Sequence, residues 1–188
     1  YSVSMSAHNW TLLTIQNDPE FIGLENYLQL LSSGDFWNSF IVTATFMVFA
    51  IAFELLLGMA LALILHQELV GKRIFRSLVI LPFMATNVVI GLGWRMLYNY
   101  EYGILNWFVN LLGFQSVPWI NSPQLALASL LIVDVWNTVA FVVLISLAGL
   151  QALPDAPIES AVIDGANKYQ IFTRVMLPLL KSTILVIL

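Results

Sequence analysis

Three ionisable residues, Glu54, Asp134 and Arg95, lie within or at the end of long apolar runs, and Asn87, Trp136, Asn137 and Thr138 share those runs. A charge inside hydrocarbon is costly, so such residues mark a pathway, a proton relay or a bond between helices. Acids, amides and an aromatic face together suit a sugar, which offers hydroxyls to bond and a C–H face to stack. Asp134 lies roughly 13 Å below the outer start of its run, at about 1.5 Å per helical residue. A structural bond to a neighbouring helix is the equal alternative for Asp134. Glu54 suits helix packing or a protonated role, because Gly58 and Ala62 follow four and eight residues on, along the same face. Arg95 can snorkel to the outer headgroups. Asn87, Asp134, Trp136 and Asn137 are therefore the candidate substrate-pathway residues.

Other chemistry is missing from the chain. No phosphate-binding G-x-x-x-x-G-K-[ST] loop is present: Gly71-Lys72 has His66 where the upstream glycine belongs and Arg73 after it. ATP phosphates are thus not cradled here, and energy must come from another subunit or an ion gradient. There is no nucleophile elbow and no metal-ligand spacing. His8 and His66 are read as lone, solvated loop histidines. With no cysteine there is neither a disulfide framework nor thiolate chemistry. A catalytic residue, a metal and a cofactor are not expected in this chain, which reads as a transport component and not an enzyme.

The elements that must hold these groups are membrane helices. The chain is 60% hydrophobic and 10% charged, with a mean hydropathy of +0.87, against about 25% charged residues in a soluble domain. Its net charge of −4 leaves no basic stripe for nucleic acid. The runs 36–65, 77–98 and 125–150 are each long enough to span, and in lipid the backbone must satisfy itself as helix. Pro82 is expected as a kink in the second. Another span is expected to start at about 177. Residues 1–35 form a polar segment with Asp18-Pro19 as a turn signal. The expected fold is all-α, a polytopic transmembrane bundle over 36–188 with about three full spans and the start of another. Both ends are expected to continue into a longer chain.

Orientation follows from the basic residues. Lys72, Arg73 and Arg76 occupy the first loop, and Lys168, Arg174 and Lys181 fall in or just after the third. The segments 1–35 and 99–124 contain no Lys or Arg. The positive-inside rule places 66–76 and 151–178 in the cytoplasm and 1–35 and 99–124 outside. Tyr98, Tyr100, Tyr102, Trp107 and Trp119 fit an aromatic belt on the outer side. Residues 104–112 read as a short amphipathic helix at that interface, serving as a tether or as a docking surface.

The polar stretch Glu159–Pro178 lies between two apolar runs. Asp155 is a plausible N-cap, with Pro157 in the first turn, where its missing N–H costs nothing. Glu159 suits the positive end of the helix dipole. Gly165 ends or bends the helix, and a second helix runs from about Lys168 to Pro178. Val162, Ile163, Ile171, Phe172 and Val175 give the loop an apolar face, which in water normally meets a partner. A passive surface helix is the alternative.

The order Glu159-Ser160-Ala161, three residues, Gly165-Ala166, then Leu177-Pro178 resembles the EAA loop of ABC-importer permease subunits. The likeness extends along the chain. Phe21-Ile22-Gly23-Leu24-Glu25-Asn26-Tyr27 is similar to the F-x-G-L-x-N-[FY] segment of the sugar-type permeases. Phe36-Trp37 with Thr43, Glu54 with Gly58, Ala60 and Ala62, and Arg76 with Leu81-Pro82 follow in the family's order. So do Trp94, Tyr102-Gly103, Asn106, and Ala148-Gly149-Leu150-Gln151 with Leu153-Pro154. Ser160 replaces the usual first alanine, and Val175 stands where isoleucine is common. The family in view is that of the maltose, glycerol-3-phosphate and polyol transport subunits. The resemblance implies a type I ABC-importer transmembrane domain with about six spans in the native chain. It implies a multi-pass protein of the bacterial inner membrane that pairs with a second permease subunit and two copies of an ATPase carrying ATP and Mg. A solute-binding protein would deliver a sugar, polyol or sugar-phosphate. Glu159, Ser160, Ala161, Asp164, Gly165, Ala166, Phe172, Leu177 and Pro178 would form the ATPase-coupling loop. Two other classes remain open: a proton-coupled secondary transporter using Glu54 and Asp134, and a non-transporting scaffold.

Overall fold

The computed structural model describes residues 2–9, 20–67 and 70–188. The Asp18-Pro19 turn expected from the sequence lies outside them. The chain divides into two compact units, Tyr1–Met47 and Val48–Leu188.

In the first unit, helix α1 (Ser2–Met5) leads to strand β1 (His8–Asn9), which pairs antiparallel with β2 (Glu20–Phe21). Helix α2 (Glu25–Ser32) follows. The segment from Phe21 to Tyr27 ties these pieces together. Gly23 turns at φ +61°, Phe21 stands edge-on to the His8 ring, and Asn26 Nδ2 donates to the carbonyls of Ser6 and His8. His8 is therefore a paired strand residue and not a solvated loop histidine. His66 is the last residue of a helix.

Helix α3 (Gly34–His66) begins in the first unit and ends in the second. It and α7 (Pro123–Gln151) are the helices among the described residues that are long and apolar enough to cross a membrane alone. Each exceeds the expected run 36–65 or 125–150 by a residue or two at both ends. Pro123 is admitted at the first turn of α7 because its absent N–H would have no partner there. Only 28% of the most apolar window of α3 and 39% of that of α7 is buried within this chain. Most of both surfaces is thus left for lipid or other helices.

The run 77–98 is not one kinked helix. Helix α4 (Lys72–Ile80) passes into a 3₁₀ turn at Leu81–Met84, and α5 (Asn87–Leu97) departs at 98°. Pro82 removes a donor from the ladder, and the chain then goes extended at Ala85 and Thr86. Two extended residues turn the axis much further than a proline kink does. At the start of α4, Lys72 Nζ and Arg76 Nη2 donate to the carbonyls of His66 and Leu65 at the end of α3. Basic side chains thereby meet the negative end of the α3 dipole.

The core of the second unit is built on α7. Val135, Val139, Val143, Leu147 and Leu150 pack with Ala62 and Leu65 of α3 and with Leu180. Gly58 admits Val142, whose Cγ1 lies 2.4 Å from where a glycine Cβ would stand. Gly149 admits Thr183 of α11 (Lys181–Ile187) in the same way, at 2.5 Å. Small residues at crossings let membrane helices approach closely. The connection between α5 and α7 carries α6 (Ile104–Leu111), the short helix anticipated there.

Candidate functional site

The 151–178 segment folds as two helices around one turn. Helix α8 runs from Asp155 to Ile163. Asp155 is its first helical residue, not its N-cap; Pro154, with φ −69° and ψ 139°, holds that position. The pyrrolidine ring supplies the φ that the entry needs, while Asp155 still places its carboxylate in the positive first turn. At the far end Gly165 adopts φ +78°, its N–H donates to Val162 O at 3.0 Å, and Ala166 N–H donates to Ala161 O at 3.0 Å. This paired bonding with a left-handed glycine is a Schellman stop.

The next helix begins two residues later and is capped reciprocally. Asn167 Oδ1 accepts from Gln170 N–H, and Gln170 Oε1 accepts from Asn167 N–H, both at 2.9 Å. The Asn-x-x-Gln spacing carries this capping-box signal in the sequence. The helical run Lys168–Leu179 comprises α9 (Lys168–Ile171), a π-helical turn (Phe172–Met176) and α10 (Leu177–Leu179). Pro178 removes the donor that would bond four residues back, and the widened turn sits just before it. At Leu180, fully buried in the core, the axis bends by 66° into α11.

The coupling candidates fall on one compact feature. Glu159, Ser160, Asp164 and Gly165 are exposed, while Ala161, Ala166 and Phe172 are half-buried. Ser160 Oγ returns to Ala156 O at 2.9 Å, so the hydroxyl is absorbed by its own helix. Leu177 and Pro178 belong to the run that carries the bend. Of the anticipated apolar face, Ile171, Phe172 and Val175 are half-buried, whereas Val162 and Ile163 are exposed, the latter to 85%. Tyr169, not anticipated, adds a 75% exposed ring.

The pathway candidates do not form a single cluster. Asn87 opens α5 and is exposed. Asp134, Trp136 and Asn137 lie on α7, where 100° per residue separates Trp136 from the other two. Asp134 and Thr138 lie beside the Glu54 carboxyl of α3. Trp136 meets Trp94 of α5 edge-on at 5.5 Å between ring centres. It also lines an apolar groove of about 620 Å³ between α3, α4 and α7, together with Phe53, Leu57 and Val139. Asn137 Oδ1 is buried without a hydrogen-bond partner among the described residues. From Trp136 the aromatic contacts continue through Trp94 and Tyr98 to Trp119.

A model of the family described as "binding-protein-dependent transport system inner membrane component" matches residues 54–188. This chain belongs to that family. As an inner membrane component it is a membrane protein, and the resemblance read from its motifs is confirmed. Among its relatives is the trehalose/maltose transport system permease protein MalF of Thermococcus litoralis, 39% identical over 94% of this chain and 60% of that protein. Another is the trehalose transport system permease protein SugA of Mycobacterium tuberculosis, 34% identical over 100% of this chain and 60% of that protein. The chain thus spans about 60% of the length of the curated relatives it matches. A bacterial alginate ABC transporter, solved in complex with an alginate pentasaccharide-bound periplasmic protein, has the same fold. A chain of it matches with TM-score 0.80, at 20% identity, over 97% of this chain and 61% of that one. A second structure of a bacterial ABC transporter that imports alginate gives TM-score 0.82 at 21% identity, over 98% of this chain and 63% of that one. The all-α bundle of this permease family is thereby the fold of this chain.

Proposed function

We propose that the chain is part of a transmembrane subunit of an ATP-driven importer, and that α8 and the Lys168–Leu179 run form its contact with a separate ATPase. The observation that carries this reading is the α8–Gly165–α9 pair. Two short helices, one stopped by backbone bonds at Gly165 and the other capped by the Asn167 and Gln170 side chains, present exposed Val162, Ile163 and Tyr169 around a glycine turn. In water such a face calls for a partner. The same helical run continues into the core through Leu180, so a push on the loop reaches α7 and α11. Membership in the permease family supports a partner of this kind: two copies of an ATPase that hold ATP and Mg, beside a second permease subunit.

The substrate is a sugar, polyol or sugar-phosphate brought by an extracytoplasmic solute-binding protein. Support comes from the saccharides in the relatives' names and from Asn87, Asp134, Trp136 and Asn137, whose amides, acid and ring suit hydroxyls and a C–H face. Segments 66–76 and 151–178 face the cytoplasm, and 1–35 and 99–124 face outward. A mild-detergent pull-down of the full-length protein tests the coupling. An ATPase with a phosphate-binding loop is expected to co-purify and to be lost with Glu159→Ala plus Gly165→Arg. Gly165→Arg alone is expected to leave the ATPase hydrolysing without uptake, because φ +78° disfavours any side chain and the added bulk and charge would stand on the face offered to the ATPase. Normal uptake by Gly165→Arg overturns the coupling role.

The contact between Glu54 and Asp134 favours a second reading, a proton-coupled transporter. Uptake that stops with an uncoupler and ignores ATP depletion would select it.

A further inference from the structure

The groove of about 620 Å³ between α3, α4 and α7 is lined by apolar residues throughout. On its walls Phe53 and Leu57 of α3, Leu78 of α4, and Ile132 and Trp136 of α7 are each 43–59% exposed. Charge marks one end of it. Leu61 of α3 and Val79 of α4 both line the groove. One turn away on the same two helices, Arg76 Nη2 donates to Leu65 O at 3.4 Å. Lys72, a further turn back along α4, reaches His66 O at 3.3 Å. Arg76 has that one long bond, and its Nε is buried with no partner among the described residues. A guanidinium carries five N–H donors, so this one is short of acceptors. Helix α3 has 33 residues, roughly 50 Å at 1.5 Å each, against a hydrocarbon core of about 30 Å. It is thus long enough to bring its end, where the two basic side chains gather, to headgroup level.

Within a membrane an apolar groove takes either another helix or an acyl chain. The close helix crossings of this chain run through small residues, Gly58 against Val142 and Gly149 against Thr183. The groove has bulky walls, with Ala140 as its one small lining residue, and so denies a helix backbone that approach. An acyl chain rotates about every bond and follows such walls. Lipid tails are as apolar as the groove, so a tail gains little by entering and the headgroup must supply the preference. Phosphate oxygens are the acceptors that Arg76 lacks, and the guanidinium fork matches their geometry. Lys72 adds a second positive charge beside it. We propose that the groove holds an acyl chain of an anionic phospholipid, with the lipid phosphate on Arg76 and Lys72. This lipid site lies apart from the α8–α9 pair and does not depend on the ATPase contact.

Trp136, in the groove wall, provides the readout. The full-length protein is placed in phosphatidylcholine nanodiscs and titrated with phosphatidylglycerol or phosphatidylcholine brominated along the acyl chains. Fluorescence quenched in the wild type but absent from Trp136→Phe reports the groove. Half-maximal quenching is expected at about fivefold less phosphatidylglycerol than phosphatidylcholine, the effect of roughly one basic side chain at a membrane surface. Arg76→Gln is expected to bring the phosphatidylglycerol curve onto the phosphatidylcholine curve. Salt at about 1 M is expected to narrow the wild-type preference, and this result decides if Arg76→Gln does not fold. Equal curves for the two lipids in the wild type overturn the proposal. So does a preference unchanged by Arg76→Gln or, where that variant does not fold, by salt. Trp136 fluorescence quenched by neither lipid overturns it too, and assigns the groove to a further helix.

Discussion

Asn106 is 1% exposed and uses its whole side chain. Its Oδ1 accepts from Val117 N–H at 2.9 Å and Trp119 Nε1 at 3.0 Å. Its Nδ2 lies within reach of the carbonyls of Asn99, Tyr100 and Val117. Three residues earlier, Gly103 packs where a Cβ would meet Asn99 O at 2.3 Å. The Gly-x-x-Asn spacing that marked family resemblance thus pins the connection between α5 and α7 to itself. Ser129 joins the same network, accepting Tyr98 OH on its carbonyl and donating its hydroxyl to Trp119 O. Asn106→Ala strands buried donors and acceptors and is expected to cost on the order of 3 kcal/mol. Faster limited proteolysis within 99–122 in detergent, with the helices intact, is the expected result. No change in cleavage would mean that water replaces the amide.

At the scale of elements, the close crossing of α3 and α7 rests on one missing side chain. Gly58→Leu drives a branched side chain into Val142 and is expected to destabilise the unit by about 1–3 kcal/mol. A lowered melting temperature in detergent reads this out, and adding Val142→Ala is expected to restore most of it. Failure of the second change to rescue would mean that Gly58 matters for backbone freedom and not for space. The bends in the α4–α5 and α9–α11 regions have a different origin. Each lies near a proline, but their sizes differ with the residues that follow. Ala85 and Thr86 leave the helical region altogether, giving 98°, whereas Leu180 stays near it, giving 66°. A proline in a sequence announces a break without announcing its angle.

For the whole molecule, charge asymmetry makes the orientation directly testable. The 188 residues contain no cysteine, so single thiols can be introduced into a cysteine-free version of the full protein. Gln115→Cys is expected to react with an impermeant maleimide on intact cells, and Gln67→Cys only after permeabilisation. The reverse pattern would invert the topology and place the α8–α9 pair on the wrong side for an ATPase. The large unburied shares of α3 and α7 also belong to this scale. Surfaces so apolar are complete only within lipid or against further helices.

Local and periodic features were readable from the residues themselves. Apolar run length marked α3 and α7, and the motif order marked the family. Gly165 marked the helix stop. These signals lie within a few residues or a few turns of one another, where backbone sterics and transfer from water act alone. Tertiary packing decided the rest. It broke the 77–98 run through nearly a right angle and set Trp136 edge-on to Trp94 of α5. It drew Glu54 to a carboxyl 80 positions away, because Gly58 and Val142 set the register of two helices. Contacts between distant turns depend on which side chains leave room for which, and that appears only when the helices are packed together.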